Sequence, residues 1–98
     1  MAISVLIVDD HPVIHHGIAY SFSKSDIQIA GNAYDGLEAI NSYETLKPDI
    51  VIMDVRIPQQ DGLQTLEKLK DKHPDIKVIM YSAFENPTYI ARFILLNR

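Results

Sequence analysis

Residues 3–10, ISVLIVDD, carry the pattern from which the fold class is first inferred. The first six of these residues are almost all apolar and rich in β-branched side chains, a pattern typical of a strand buried on both faces in a parallel sheet. The run ends abruptly at Asp9 and Asp10, and Pro12 follows at a position suited to the first turn of a helix. The stretch therefore predicts a buried strand, a polar strand end and then a helix.

Strand and helix patterns alternate along the rest of the chain. Strands are predicted over residues 3–8, 26–33, 49–53 and 76–81. Helices are predicted from Pro12 to about Lys24, from the cap Asp35 to a stop before Lys47-Pro48, from the cap Asp61 to a stop at His73-Pro74, and from Asn86-Pro87 to the C-terminus. Strands that are separated by helices, without hairpin turns between them, pair in parallel with helices on both faces. The sequence therefore predicts a doubly wound α/β fold, and a length of 98 residues predicts one domain.

Composition argues against several classes of function. The formal net charge is −4, from 13 acidic and 9 basic residues, which argues against a nucleic-acid-binding surface in this chain. Cysteine is absent, so disulfides and thiolate nucleophiles are excluded, and a reducing cytoplasm is the expected location. The apolar runs are far shorter than a membrane span, and no basic segment precedes the first one. Neither a membrane helix nor a signal peptide is predicted.

Polar side chains stand at the predicted carboxyl ends of three strands. Asp9 and Asp10 follow the first strand, Asp54 the third and Ser82 the fourth. In open parallel sheets, ligands bind beyond these ends, so the three carboxylates converge if strands one and three are neighbours. Clustered carboxylates suit Mg²⁺, which leaves an open side for a phosphate, and one carboxylate could then attack phosphorus. Taken singly, Asp10 could instead cap the first helix and Asp54 could face solvent.

In these features the chain resembles the receiver domain of two-component response regulators. The most specific part of the motif runs from Asp54 through Pro58 to Asp61-Gly62, with the acid pair upstream and Ser82-Ala83 after the fourth strand. The start Asp9-Asp10-His11-Pro12 is most similar to the NarL/LuxR-type subfamily, whose output is a C-terminal helix-turn-helix.

The resemblance implies a flavodoxin-like (CheY-like) sheet of order 2-1-3-4. It implies that Asp54 accepts a phosphoryl group from a sensor histidine kinase. Asp9, Asp10, Asp54 and the backbone carbonyl of Arg56 would hold Mg²⁺, and Ser82 would bond the phosphoryl group and move with the conformational switch. The domain would be a signalling module rather than a turnover enzyme, and DNA would be contacted through an output domain outside this chain.

The family also has a fifth βα unit, with a Lys and an aromatic switch residue on the fifth strand. Residues 1–98 contain none of these, so the expectation is a single receiver domain that ends before that unit. Such a chain is expected to be phosphorylated poorly, because the Lys would stabilise charge on the transferring phosphoryl group. It is also expected to self-associate, through an exposed edge of the fourth strand or through the apolar end of the last helix, Phe93 to Leu96.

Two other functions remain open at this point. A receiver-like interaction module that is never phosphorylated would need no fifth-strand Lys. A phosphatase of the haloacid dehalogenase type also uses an Asp nucleophile, but it requires two acids separated by one residue, whereas Asp9 and Asp10 are adjacent.

Histidines and tyrosines receive less specific interpretations. His11, His15 and His16 could suggest a metal site, since His11 and His15 are spaced to share a helix face, but no third ligand is evident and a solvent-facing pair at the helix start is the favoured interpretation. The tyrosines are expected to fill edges of the core; they are Tyr20, Tyr34, Tyr43, Tyr81 and Tyr89.

Overall fold

The chain forms four parallel strands connected by three helices in the computed structural model, which describes residues 2–54 and 62–81. The elements are β1 (Ile3–Val8), α1 (Pro12–Ser21), β2 (Ile27–Ala33), α2 (Gly36–Leu46), β3 (Ile50–Asp54), α3 (Gly62–Lys72) and β4 (Val78–Tyr81). The alternation predicted from the sequence is confirmed over this range. The predicted last helix and the predicted Asp61 cap lie outside the described residues.

The sheet has the order β2-β1-β3-β4, which confirms the order that the resemblance implies. All three pairings are parallel, with Val8 opposite Met53 and Asp54 opposite Tyr81. The chain moves to one side from β1 to β2 and to the other side through β3 to β4. Right-handed crossovers therefore place α1 on one face of the sheet and α2 and α3 on the opposite face. All four strands direct their carboxyl ends to the same edge.

The main core lies between the sheet and the pair α2 and α3. The predicted leucine stripe of α3, Leu63, Leu66 and Leu69, is buried against this face of the sheet. It packs with side chains from β1 and β3, which are Leu6, Val8, Val51 and Met53. Each fully buried leucine contributes about 1.5–3 kcal/mol of transfer free energy, so this stripe fixes α3 on the sheet.

The start of α2 follows the predicted capping pattern with one difference. The Asp35 carboxylate accepts a hydrogen bond from the Glu38 N–H at 2.8 Å, as expected of an N-cap. The Glu38 carboxylate reaches back to the N–H of Tyr34, at 2.7 Å, rather than to that of Asp35. At the other end, Lys47 adopts a left-handed conformation with φ of 49° and Pro48 follows, so the helix ends where the sequence predicts.

Several predicted boundaries differ from the structure. Strand β2 begins at Ile27 rather than at residue 26, and β3 spans Ile50–Asp54 rather than residues 49–53. Helix α1 ends at Ser21 rather than near Lys24, because the hydroxyls of the next serines donate to nearby backbone carbonyls and stabilise turns. Strand β4 begins at Val78 rather than at residue 76, because the Ile76 N–H donates to the His73 carbonyl in a turn. Tyr20 does not fill the core edge, since it is 82% exposed.

The amino edge of the sheet has its own polar contact between β1 and the residue before β3. The Asp49 carboxylate accepts from the Ser4 N–H at 2.8 Å and from the Ser4 hydroxyl at 3.1 Å. The Asp49 N–H donates to the Ser4 carbonyl at 2.9 Å. These bonds hold the pKa of the Asp49 carboxyl below its usual value, with the Ser4 backbone N–H as the larger cause.

Candidate functional site

Four titratable side chains converge at the carboxyl edge of the sheet. Asp9, Asp10, His11 and Asp54 each offer one ligand atom, and these four atoms lie within 4.8 Å of one another. Asp9 is 1% exposed and Asp54 is 6% exposed, whereas Asp10 and His11 face solvent. The convergence of the three carboxylates expected from the sequence is therefore present.

Strand pairing explains why these carboxylates meet. Val8 and Met53 are opposite each other in the neighbouring strands β1 and β3, so the next residues lie side by side: Asp9, which follows β1, and Asp54, which ends β3. The Asp9 N–H donates to the Ala33 carbonyl of β2 at 3.0 Å, which holds the Asp9 backbone to the sheet. The solvent-facing alternative for Asp54 is wrong, because its side chain is buried.

His11 lies between the two carboxylates of the acid pair. Its backbone N–H donates to Asp9 Oδ1 at 2.8 Å, and its Nδ1 lies 2.9 Å from the same oxygen and 2.8 Å from Asp10 Oδ1. The hydrogen bond to Asp9, followed by the charge of Asp10, raises the pKa of His11 above 6.5. The N-cap residue of α1 is His11 rather than Asp10, and no side-chain capping hydrogen bond is made there. The capping alternative for Asp10 is therefore wrong.

Tyr81 is a member of this site that the sequence interpretation missed. Its hydroxyl donates a hydrogen bond to Asp9 Oδ2. Burial, and then this bond to a carboxylate, raise the pKa of Tyr81 well above its usual value, so the hydroxyl stays a neutral donor. The available signal was its position as the last residue of β4, opposite Asp54. Because side chains alternate along a strand, Tyr81 is directed away from the core face on which its neighbour Met80 packs.

His15 is buried and contacts the site, so the interpretation of a solvent-facing pair is wrong for His15, whereas His11 faces solvent as expected. Nε2 of His15 lies 2.7 Å from the Asp9 backbone carbonyl, and Nδ1 lies 2.6 Å from Asn32 Oδ1. Its ring stacks at an angle on Tyr34, with 4.4 Å between the ring centroids. The position of α1 over β1 and β2 brings His15 inward.

The donor set fits a hard divalent cation. Three carboxylates within a few ångströms repel one another, and Mg²⁺ takes carboxylate oxygens while keeping several waters. Asp9, Asp10 and Asp54 would hold the ion. Arg56 and Ser82, the other predicted site residues, lie outside the described residues.

Comparison with known proteins points to one family. The response regulator receiver domain family matches residues 5–97. The chain is 39% identical over 93 residues to the response regulator GacA of Pseudomonas viridiflava, and 34% identical over 87 residues to the transcriptional regulatory protein YhcZ of Bacillus subtilis (strain 168). These alignments cover 94% and 88% of the chain but only 44% and 41% of the relatives, so the chain spans less than half their length.

A solved structure gives the same picture. The fold is similar to the signal receiver domain of the response regulator NarL from Mycobacterium tuberculosis, with a TM-score of 0.89 and 26% sequence identity. The likeness covers 98% of this chain and 78% of that domain. In the described part of the chain, no helix is long and apolar enough to cross a membrane.

Proposed function

Because the chain belongs to the response regulator receiver domain family, we propose that Asp54 is its phosphoacceptor and that a sensor histidine kinase is the donor. The observation that carries this proposal is the position of Asp54: a carboxylate only 6% exposed, at the end of β3, in a cluster with Asp9 and Asp10. Asp9 lies in the same cluster and is more buried, at 1% exposure, so the choice of Asp54 over Asp9 as the phosphoacceptor comes from the family resemblance. The proposed role is that of a signalling domain rather than a turnover enzyme.

In the proposed reaction, a carboxylate oxygen of Asp54 attacks phosphorus. The new O–P bond forms as the P–N bond of the kinase phosphohistidine breaks, and the electron pair of that bond stays on the imidazole nitrogen. Asp9 and Asp10, with Asp54, would hold Mg²⁺, which supplies positive charge against the phosphoryl oxygens. The backbone carbonyl of Arg56 as a further ligand, and Ser82 as the residue that bonds the phosphoryl group, remain part of the proposal through the resemblance.

Chemical phosphorylation tests this assignment. A form of the protein that also carries the family's fifth βα unit is incubated with Mg²⁺ and a small acyl phosphate, because residues 1–98 alone are expected to be labelled poorly. An acid-stable, base-labile modification is then located by mass spectrometry. Asp54→Asn should abolish the label, whereas the matched change Asp49→Asn, at the other end of the same strand, should retain it. A label retained in Asp54→Asn would contradict the proposal.

The same experiment separates the alternative functions. Binding of Mg²⁺ without any labelling of the wild-type protein would favour the interaction module that is not phosphorylated. Turnover of a generic phosphate ester would favour the phosphatase. Asp9 and Asp10 are adjacent, which does not match the acid spacing of that phosphatase class.

The output of the domain is proposed to be regulation of transcription. Its relatives include the transcriptional regulatory protein YhcZ, whose length is more than twice that covered by the match. Residues 1–98 would act as one receiver domain, and DNA would be contacted through a separate output domain. This chain carries a net charge of −4, so it does not itself offer the basic surface that DNA requires.

Self-association is proposed through the edge of β4. In the part of the chain that the structure describes, β4 pairs only with β3, and its Ile79 side chain is 54% exposed. An apolar strand edge favours pairing with a second copy. The alternative contact, through residues 93–96 of the last helix, lies outside the described residues. Sedimentation over a hundredfold concentration range should show a concentration-dependent increase in mass; a monomer throughout would contradict this proposal.

A further inference from the structure

Both oxygens of the Asp9 carboxylate accept hydrogen bonds from protein groups. Oδ1 accepts from the His11 backbone N–H at 2.8 Å and lies 2.9 Å from the His11 ring nitrogen. Oδ2 accepts from the Tyr81 hydroxyl. Asp9 is the most buried of the clustered carboxylates, at 1% exposure. Whichever Asp9 oxygen a cation binds, that oxygen already accepts a hydrogen bond from the protein.

Tyr81 reaches this carboxylate from a different strand. It is opposite Asp54 in the β3–β4 pairing and ends β4, immediately before Ser82 in the sequence. Its contact with Asp9 spans 72 residues along the chain and joins β4 to the end of β1, two strands away. The bond thus connects a residue proposed to hold Mg²⁺ with the strand that leads to Ser82.

We propose that Tyr81 is a positioning residue that competes with the divalent cation for Asp9, and that cation binding is thereby coupled to the end of β4. The inference rests on the proposed function, because it takes Asp9 to be a ligand of Mg²⁺. In the cation-free protein, the hydroxyl dipole offsets part of the repulsion among the three carboxylates. When Mg²⁺ binds, the positive hydrogen of the hydroxyl faces a second positive charge, and the bond weakens or breaks.

Two consequences follow from this competition. Removal of the hydroxyl should tighten cation binding, because a hydrogen bond to a charged group no longer has to be weakened. Cation binding should also change the environment of the Tyr81 ring, because coupling between two equilibria is reciprocal. Cation binding at the phosphoacceptor site would in this way affect the end of β4 through the Tyr81 side chain.

The test compares Mg²⁺ affinity in the wild type, Tyr81→Phe and Tyr20→Phe. Tyr20→Phe is the matched control, since Tyr20 is exposed on α1. Isothermal titration should give a dissociation constant about three- to tenfold lower for Tyr81→Phe than for the wild type. Tyr20→Phe should match the wild type. Because the chain contains no Trp and five Tyr, the ring ¹³C signals of the tyrosines can be resolved and assigned.

The wild-type NMR titration provides a readout that does not depend on the folding of a variant. The Tyr81 ring signal should move with Mg²⁺ at the same dissociation constant as the calorimetry, and the Tyr20 signal should not. An unmoved Tyr81 signal, or a Tyr81→Phe dissociation constant equal to or higher than that of the wild type, overturns this inference and leaves the proposed function intact. Absence of Mg²⁺ binding by the wild type itself overturns the cation role of Asp9, and with it both proposals.

Discussion

His15 of α1 donates through Nε2–H to the backbone carbonyl of Asp9, across 2.7 Å. The direction of this bond follows from its partner, because a carbonyl oxygen can only accept. Asp9 is therefore held at its backbone by His15 and β2, and at its carboxylate by His11 and Tyr81. Such support from several elements fixes the geometry of a residue that is proposed to bind a cation.

Replacement of His15 by Phe should destabilise the protein. The ring would remain against Tyr34, but the buried Asp9 carbonyl would lose its donor, at a cost of about 1–3 kcal/mol, and the contact with the Asn32 side chain would also be lost. Urea denaturation measures the change in the free energy of unfolding. The control is His16→Phe at the exposed neighbouring position, which should change it by less than about 0.5 kcal/mol. Equal effects in the two variants would contradict the assigned role.

Magnesium should stabilise the folded protein through the acidic cluster. A ligand that binds only the native state adds RT ln(1 + [L]/Kd), about 1.4 kcal/mol at tenfold excess over Kd. Thermal melting with and without Mg²⁺ measures this gain. The double variant Asp10→Asn, Asp54→Asn should lose most of it; a gain equal to that of the wild type would place the cation elsewhere.

His11 should make the stability of the metal-free protein depend on pH. Because its folded pKa lies above 6.5, its stabilising contribution is fully present below about pH 6.5 and is lost as the pH rises through the folded pKa. Denaturation between pH 5 and 9 should show this decline in the wild type but not in His11→Asn. Saturating Mg²⁺ should reduce the dependence, since a cation competes with the His11 proton for the same carboxylates.

Asp49 should produce the opposite pH dependence at the other edge of the sheet. Its folded pKa lies below 3.8, so its contribution is present above that value and is lost as the pH falls through the folded pKa. Ser4→Ala should retain part of the effect, because the Ser4 N–H is the larger cause of the shift. Acid denaturation measures how much stability each protein loses as the pH falls. The loss should be largest for the wild type and for the control Asp71→Asn, which changes an exposed residue, and smallest for Asp49→Asn, with Ser4→Ala between them.

The core leucine stripe should tolerate truncation poorly. Leu66 is 0% exposed, and Leu66→Ala should cost about 2–5 kcal/mol through lost burial and a cavity. Leu37, on α2, is 60% exposed, and Leu37→Ala should cost about 0.5 kcal/mol or less. The comparison is made by denaturant unfolding, and similar losses in both variants would contradict the packing described for α3.

Most helices and strands of the fold could be predicted from local patterns in the sequence. The apolar run of β1, the cap at Asp35 and the stop at Lys47-Pro48 each act over a few residues, so their positions could be predicted closely. The order of the strands is a long-range property, and it came from the family resemblance rather than from periodicity. The end of α1 was predicted three residues too late, because serine side chains that bond their own backbone compete with the helix.

The residues of the acidic site that stand at strand ends could be predicted from the sequence. The residues that contact it through their side chains from other elements could not. Asp9 and Asp54 follow neighbouring strands, so their convergence required only the strand order. His15 and Tyr81 contact Asp9 from α1 and β4. The place of Tyr81 at the predicted end of β4 was visible in the sequence, but its contact with a residue 72 positions away was not. The helical spacing of His11 and His15 was visible, but which face of α1 meets the sheet was not.

The central position of β1 in the sheet affects how this chain folds during translation. β1 is synthesised first, yet it lies between β2 and β3, and its last residue, Val8, pairs with Met53. About half of the chain must therefore leave the exit tunnel before both sides of this apolar strand are covered. Contacts of such long sequence separation slow folding, because loop closure precedes the stabilising contact. Until then both edges of β1 and its apolar side chains are uncovered, a state in which a strand is prone to aggregate.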